Sequence, residues 1–368
     1  MTRIFGWSAD NSGCEWYRLR VPLASLRAHY EADVMVGRLL VNADIARKLG
    51  QEPHWRPDVL IGQRVSNPAP SSLWQALARG NSLPVRVTDV PEWAHAVLRG
   101  EQPRPAMIYE LDDDLLDVDP SNVAAYREFG RPEIRANIRA NLAAADAVTV
   151  TTAPLAAVVR QHTDAPVHVV PNYLPDWLPV PVDEIEFRCE VNSDRTVIGW
   201  AGGSSHALDW NEAGPTVMRF VRRSPIAEMH LVGARWVADS SVRFTKWSPR
   251  VPDFYRSLDF DIGLAPLRPS VFNRSKSPVK VMEYGALGIV PIASNVGPYA
   301  DYIEAGHDGL LVDQPHQWGI ALRMLTGDHE LRATLARNAW EKARDNTISN
   351  HVAEWAAVIE EVLHAVVQ

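Results

Sequence analysis

The feature that most constrains this chain is its rhythm. Short apolar, β-branched runs closed by Pro, Gly or Asp alternate with helix-like stretches. Ile4 to Trp7, Asp58 to Gly62, Ala106 to Leu111, Ala147 to Thr151 and Val167 to Val170 are such runs. Continuous rather than alternating apolarity marks strands buried on both faces, which parallel sheets require. Between them, Pro132 to Ala145 reads as a helix, with Pro132 near its start, Glu133 in its first turn and apolar Ile134, Ile138 and Leu142 four apart. Strands alternating with helices predict a parallel α/β sheet.

A break follows at residues 171–195, where four prolines (171, 175, 179, 181) precede the polar run Glu190-Val191-Asn192-Ser193-Asp194. The rhythm then restarts, with strands expected at 196–201, 228–233, 242–245, 260–264, 289–294 and 309–312. A length of 368 residues is comfortable for two domains. The expectation is two doubly wound α/β domains, over 1–175 and 196–345, with the default site in the cleft between them. The tail reads as three helices, 317–325, 330–344 and 349–367. The last carries apolar Val352, Trp355, Ile359, Leu363 and Val366 on one face, and 346–368 is expected to cross back to the first domain.

Composition narrows the function. A formal charge of −8 argues against a general nucleic-acid coat or a polybasic membrane binder, and disfavours DNA as a partner. Cys14 and Cys189 alone build neither a disulfide framework nor a zinc cluster. No run reaches the ~20 apolar residues of a membrane span, and Met1 to Trp7 lacks the apolar core of a leader peptide, so a cytoplasmic protein is expected. Basic residues are 32 Arg and five Lys, at 48, 246, 276, 280 and 342. A GC-rich gene explains the ratio, but not the placement.

Two of those lysines fall in Asn273-Arg274-Ser275-Lys276-Ser277-Pro278-Val279-Lys280-Val281-Met282-Glu283. Pro278 suits the first turn of a helix from about Val279 to Leu287. Its free amides, with Lys276 and Arg274 beside them, make an anion site, and Glu283 one turn later can accept from two sugar hydroxyls. The same residues also suit a solvated helix end with a Lys280–Glu283 surface pair. Gly202-Gly203-Ser204-Ser205-His206 closes the first strand of the second half, where glycines admit a phosphate or a plain turn. Ser8-Ala9-Asp10-Asn11-Ser12-Gly13-Cys14 is the matching polar loop of the first half, leading into a helix through Leu19, Leu23 and Leu26. Asp112-Asp113-Asp114 ends another strand. Asp112 and Asp114 can hold a metal; alternatively one Asp caps the next helix or orients a hydroxyl. The second is preferred, because the chain supplies its own phosphate site. His206, His230 and His307 lack metal-ligand spacing, and only His206 sits in a candidate loop.

Together these residues resemble the GT-B fold of nucleotide-sugar glycosyltransferases. Val281-Met282-Glu283-Tyr284-Gly285-Ala286-Leu287-Gly288-Ile289-Val290-Pro291 and Asp308-Gly309-Leu310-Leu311-Val312 are similar to the second-domain signature of glycosyltransferase family 4. Tyr109-Glu110-Leu111-Asp112-Asp113-Asp114-Leu115 resembles first-domain sequences of bacterial and phage members. The resemblance implies sugar transfer, with retention, from a UDP-, GDP- or ADP-sugar co-substrate to a protein, polysaccharide or other glycan, without a cofactor or metal. It implies a donor site of Gly202, Gly203, Ser204, Asn273, Arg274, Lys276, Ser277, Lys280 and Glu283. An acceptor site would lie near Gly13, Asp112 and Asp114, with Asp113 and His206 as catalytic candidates. Two features depart from the family. Ser275 stands where an acid usually lies eight residues before Glu283, and His206 and Asp209 stand where Arg and Lys usually follow the glycine loop. Two rivals are a metal-dependent transferase using Asp112 and Asp114, and a non-catalytic nucleotide- or sugar-binding protein.

Overall fold

A computed structural model describes residues 1–10, 13–39, 55–80, 90–190 and 195–367. Asn11, Ser12, Lys48 and the polar run 191–194 lie outside the described residues. The chain divides into two compact units. The first comprises 1–118, 126–172 and 348–368, and the second 119–125 and 173–347.

Among its described residues the first unit holds six parallel strands: β1 (Thr2–Ser8), β2 (Ala32–Gly37), β3 (Val59–Gln63), β4 (Ala106–Leu111), β5 (Ala147–Val150) and β6 (Val167–Val169). Their order is β2-β1-β3-β4-β5-β6. β1, β3, β4 and β5 are buried almost throughout, as their unbroken apolarity requires. The sequence reading missed β2. It is an edge strand that follows the helix Val21–His29 after two residues, carries Asp33, and is only partly buried. The helix expected at 132–145 runs Pro132–Ala143.

The last helix, Ile348–Val367, packs within the first unit against Val21–His29 and β4. Val352, Trp355 and Ile359 are buried, while Val366 lies at the exposed end. Beneath Trp355 sits Arg18, fully buried, its guanidinium 5.0 Å from the indole centroid. Its Nε donates to Glu110 at 2.6 Å, and one terminal nitrogen donates to Val170 O at 2.7 Å and Asn172 Oδ1 at 3.1 Å.

The second unit holds β7 (Thr196–Gly202), β8 (Ala227–Gly233), β9 (Arg243–Lys246), β10 (Ile262–Ala265), β11 (Val290–Ser294) and β12 (Leu310–Val312), in parallel order β12-β11-β10-β7-β8-β9. Its core is built on Ile198, Trp200, Leu231, Ile262, Leu264 and Ile292. The chain builds β7, β8 and β9 outwards, then crosses back to place β10 on the other side of β7. Neighbouring crossovers therefore leave β7 and β10 on opposite faces, which opens a crevice at their carboxyl ends. In the first unit the same reversal falls between β1 and β3.

Candidate functional site

The β7–β10 crevice collects most of the second-half candidates. β7 ends in Gly202, and the helix Val279–Ala286 starts close by. A Cβ on Gly202 would come within 3.0 Å of the Trp200 ring and 3.3 Å of Lys280 Nζ, so the missing side chain is what gives Lys280 its place. Lys280 Nζ lies 4.9 Å from the Trp200 centroid, a cation–π distance. It is therefore no surface partner of Glu283. Burial pulls its ammonium down to about 8, against the pull of Asp209 and Glu283. Lys276 lies 4.5 Å over Phe272. Pro278 occupies the cap position rather than the first turn, and Ser277 Oγ accepts from the Val279 amide at 3.3 Å.

Asp209 ties the two sides of the crevice together. It lies in the first turn of the helix Ala207–Arg223 and is buried. One oxygen accepts from Asn273 Nδ2 at 2.9 Å and the Arg268 amide at 3.0 Å, and the other meets His206 Nδ1 at 2.8 Å. Burial alone would raise its pKa, but these partners carry it below the usual carboxylate range. Ionised Asp209 fixes the His206 proton on Nδ1 and leaves Nε2 as an acceptor. Burial and the charge of Lys280 hold His206 down at about 4, so it is neutral at pH 7. The family's Arg and Lys are thus replaced by a neutral ring held by a buried carboxylate.

Two donor candidates sit otherwise than expected. Asn273 is buried, with its amide given to Asp209 and to Arg268 O, so its role is to hold the loop. Arg274 is exposed and lines a pocket of about 370 Å³ with Glu212, Asn295, Asp313 and Trp318. Gly203 has open space around its Cα, and Ser204 is exposed in a short turn.

Beside Glu283 stands an aromatic wall that the sequence reading missed. Tyr255 Oη donates to Glu283 Oε1 at 2.9 Å. The Trp177 and Tyr255 centroids lie 5.8 Å apart, and those of Trp247 and Phe254 4.5 Å apart. Trp247 is 47% exposed and follows β9 directly. It borders Gly233, which has φ 95° and whose Cβ would strike Gly202 O at 2.3 Å; only glycine fits there. Contacts thus run from Gly202 through Gly233, Trp247, Phe254 and Tyr255 to Glu283. An aromatic directly after a strand end was the available signal.

In the first unit, the β1/β3 reversal gathers Asp10, Cys14, Arg64 and Asp112. Arg64 is the only non-glycine residue with positive φ (54°) among those described, a strain of about 1–3 kcal/mol. It lies 3.5 Å from Asp10, 3.7 Å from Asp112, 2.8 Å from Cys14 Sγ and 5.1 Å from the Phe129 centroid. Burial pushes the Cys14 thiol well up, so it is not a thiolate nucleophile. Asp114 is buried and its Oδ1 accepts from the Leu116 and Asp117 amides at 3.1 and 3.2 Å, closing a turn; the next helix starts only at Val123, so Asp114 does not cap it. Gly13 opens a short helical turn, and Asp113 stays half-buried at the end of β4. Among the described residues no group of three or more His, Cys, Asp or Glu has metal-holding geometry.

Residues 213–328 match the sequence model of the family Glycosyl transferases group 1. The second unit carries a group 1 glycosyl transferase domain. Solved structures extend the likeness over the whole chain. A sucrose-phosphate synthase from Thermosynechococcus elongatus is 15% identical, with a TM-score of 0.63, covering 99% of this chain and 100% of that one. HepE of Anabaena, in complex with UDP and glucose, is 16% identical at a TM-score of 0.60, covering 98% and 100%. A glycosyltransferase from Rickettsia africae is 12% identical at 0.57, covering 98% of each. No curated protein matches in sequence. The fold is GT-B, and the chain is a glycosyltransferase. No helix among its described residues is long and apolar enough to cross a membrane.

The glycosyltransferase thus brings Gly202, Lys276, Lys280, Glu283 and His206 to one crevice in its second unit. It brings Gly13 and Asp112 to the β1/β3 reversal of its first. Asp209, Trp247, Tyr255 and Arg64 join them, and none was a site candidate in the sequence reading.

Proposed function

We propose that this glycosyltransferase moves a sugar from a nucleotide sugar to a hydroxyl of a glycan or protein acceptor, with retention and without a metal. One observation carries the reading: Lys280 Nζ is held against Gly202 by Trp200, one turn from the partnered carboxylate Glu283. The donor diphosphate would lie over Gly202, Gly203 and Ser204, its charge offset by Lys276, Lys280 and the helix start. Glu283 would take the ribose hydroxyls, with Tyr255 fixing the carboxylate, and the base would lie against Trp247. The UDP held by the structurally similar HepE agrees with this. Lysines and backbone amides would stabilise the leaving diphosphate, the task a metal performs elsewhere.

His206 would offer its Nε2 to a sugar hydroxyl, since it is no acid at pH 7. The acceptor would lie at Gly13 and Asp112, with Asp113 orienting its hydroxyl. Asp114 serves its own turn in this scheme. A cytoplasmic setting goes with a nucleotide-sugar donor.

The test is release of the nucleoside diphosphate from a panel of UDP-, GDP- and ADP-sugars, with and without EDTA. One donor is expected to be hydrolysed slowly in water, undiminished by EDTA, and about tenfold more slowly by Lys276→Ala. A panel with no turnover would favour a non-catalytic binding protein. Loss of turnover in EDTA would favour the metal-dependent rival.

A further inference from the structure

The second unit carries a basic groove outside the crevice. It has a volume of about 520 Å³ and runs along the helix Ala207–Arg223. Arg219, Arg222 and Arg223 line it, and the edges of buried Trp210 and half-buried Trp236 close its floor. All three arginines are exposed, and their spacing of three and four residues puts them on one helical face, with Cβ atoms about 5–6 Å apart.

The local charge opposes that of the chain. Residues 207–250 hold seven Lys or Arg and four Asp or Glu, a balance of +3 in a protein of −8. Three of the four acids are engaged, and the fourth, Glu212, lines the other pocket. Asp209 is buried in its own network, Glu228 pairs with Arg195, and Asp239 meets Arg222 at 3.1 Å. Arg219 and Arg223 therefore face solvent with little counter-charge on this element. Trp236 adds a buried Nε1–H that has no acceptor.

The groove's basic lining is arginine throughout. Guanidinium forks match the paired oxygens of phosphate, where an ammonium acts as a point charge. We propose that this groove binds a phosphate-bearing polyanion. The groove shares a wall with the crevice: Trp200 meets Trp236 at 5.2 Å and Trp210 at 6.1 Å between centroids, and carries Lys280 on its face. A chain held there is anchored beside the donor crevice without occupying it. The inference does not depend on the proposed reaction.

Fluorescence anisotropy with a labelled single-stranded dT 20-mer tests it, with inorganic polyphosphate and poly-glutamate as competitors at 50 mM salt. The wild type is expected to bind the 20-mer and to release it to polyphosphate but not to poly-glutamate. The triple variant Arg219→Ala/Arg222→Ala/Arg223→Ala should bind at least tenfold more weakly. Its plot of log affinity against log salt should be shallower by about 2–3. A control triple, Arg127→Ala/Arg131→Ala/Arg139→Ala, removes the same charge from exposed positions of the first unit and should bind as the wild type does. Circular dichroism melting confirms that both triples fold. The proposal is overturned if the wild type binds neither phosphate polymer, or if poly-glutamate competes equally. Equal losses in both triples, or none in the groove variant, overturn it as well.

Discussion

Replacing Lys280 by alanine should weaken nucleotide binding by roughly two orders of magnitude, or about 3 kcal/mol. The size follows from the setting. Exposed lysines near phosphates are screened and replaceable, whereas Lys280 is wedged between Gly202 and the Trp200 face with its pKa lowered to about 8. A diphosphate arriving there meets a poorly solvated ammonium, so the new interaction is little offset by lost hydration. A pH dependence follows. The protonated amine is the binding form. Nucleotide affinity should therefore be level from pH 6.5 to 7.5 and fall as pH rises through 8, towards tenfold per unit. Binding above pH 8 should take up a proton. His206 adds nothing in this range, since its value of about 4 leaves it neutral throughout. Titration calorimetry in buffers of different ionisation enthalpy reads both effects, and Lys280→Met should abolish them. Affinity that stays constant from pH 7 to 9.5 in the wild type would contradict the assignment.

The second large effect is on stability. Arg18→Met should destabilise the first unit by about 3–5 kcal/mol, because it leaves Glu110 buried without its cation and strips the partner from Val170 O and Asn172. Burial already pushes the Glu110 carboxyl up to about 7 with Arg18 present. For a unit of this size the melting temperature should drop by about 10 °C. The double variant Arg18→Met/Glu110→Leu should recover most of the loss, since removing both charges removes the desolvation penalty as well. Thermal melts of the two variants check this. An Arg18→Met protein that melts with the wild type would show that the pair contributes nothing.

The strand runs and the lysine pair were legible because each depends on its near neighbours. β-branched residues crowd the buried strands, and Lys276, Lys280 and Glu283 lie within two turns of one another. What escaped depends on distant partners. Arg18 is 92 residues from Glu110, and Asp209 is 64 from Asn273. Arg64 shows no local sign of its left-handed backbone, since nothing in the sequence marks a non-glycine residue for positive φ. β2 escaped because a charged, half-buried edge strand lacks the continuous apolarity by which its neighbours were found. Asn273 and Arg274 were drawn towards the donor by adjacency in the chain, yet helical geometry turns one inwards and the other out.

The central claim is that the β7–β10 crevice binds a nucleoside diphosphate through Lys280 and Glu283. Isothermal titration of UDP, GDP and ADP into the wild type and into Glu283→Ala tests it most directly. The account predicts one-to-one micromolar binding of at least one of them, weakened at least tenfold in the variant, which loses the ribose hydrogen bonds. No binding of any of the three at millimolar concentration, or equal affinity in the two proteins, would contradict it.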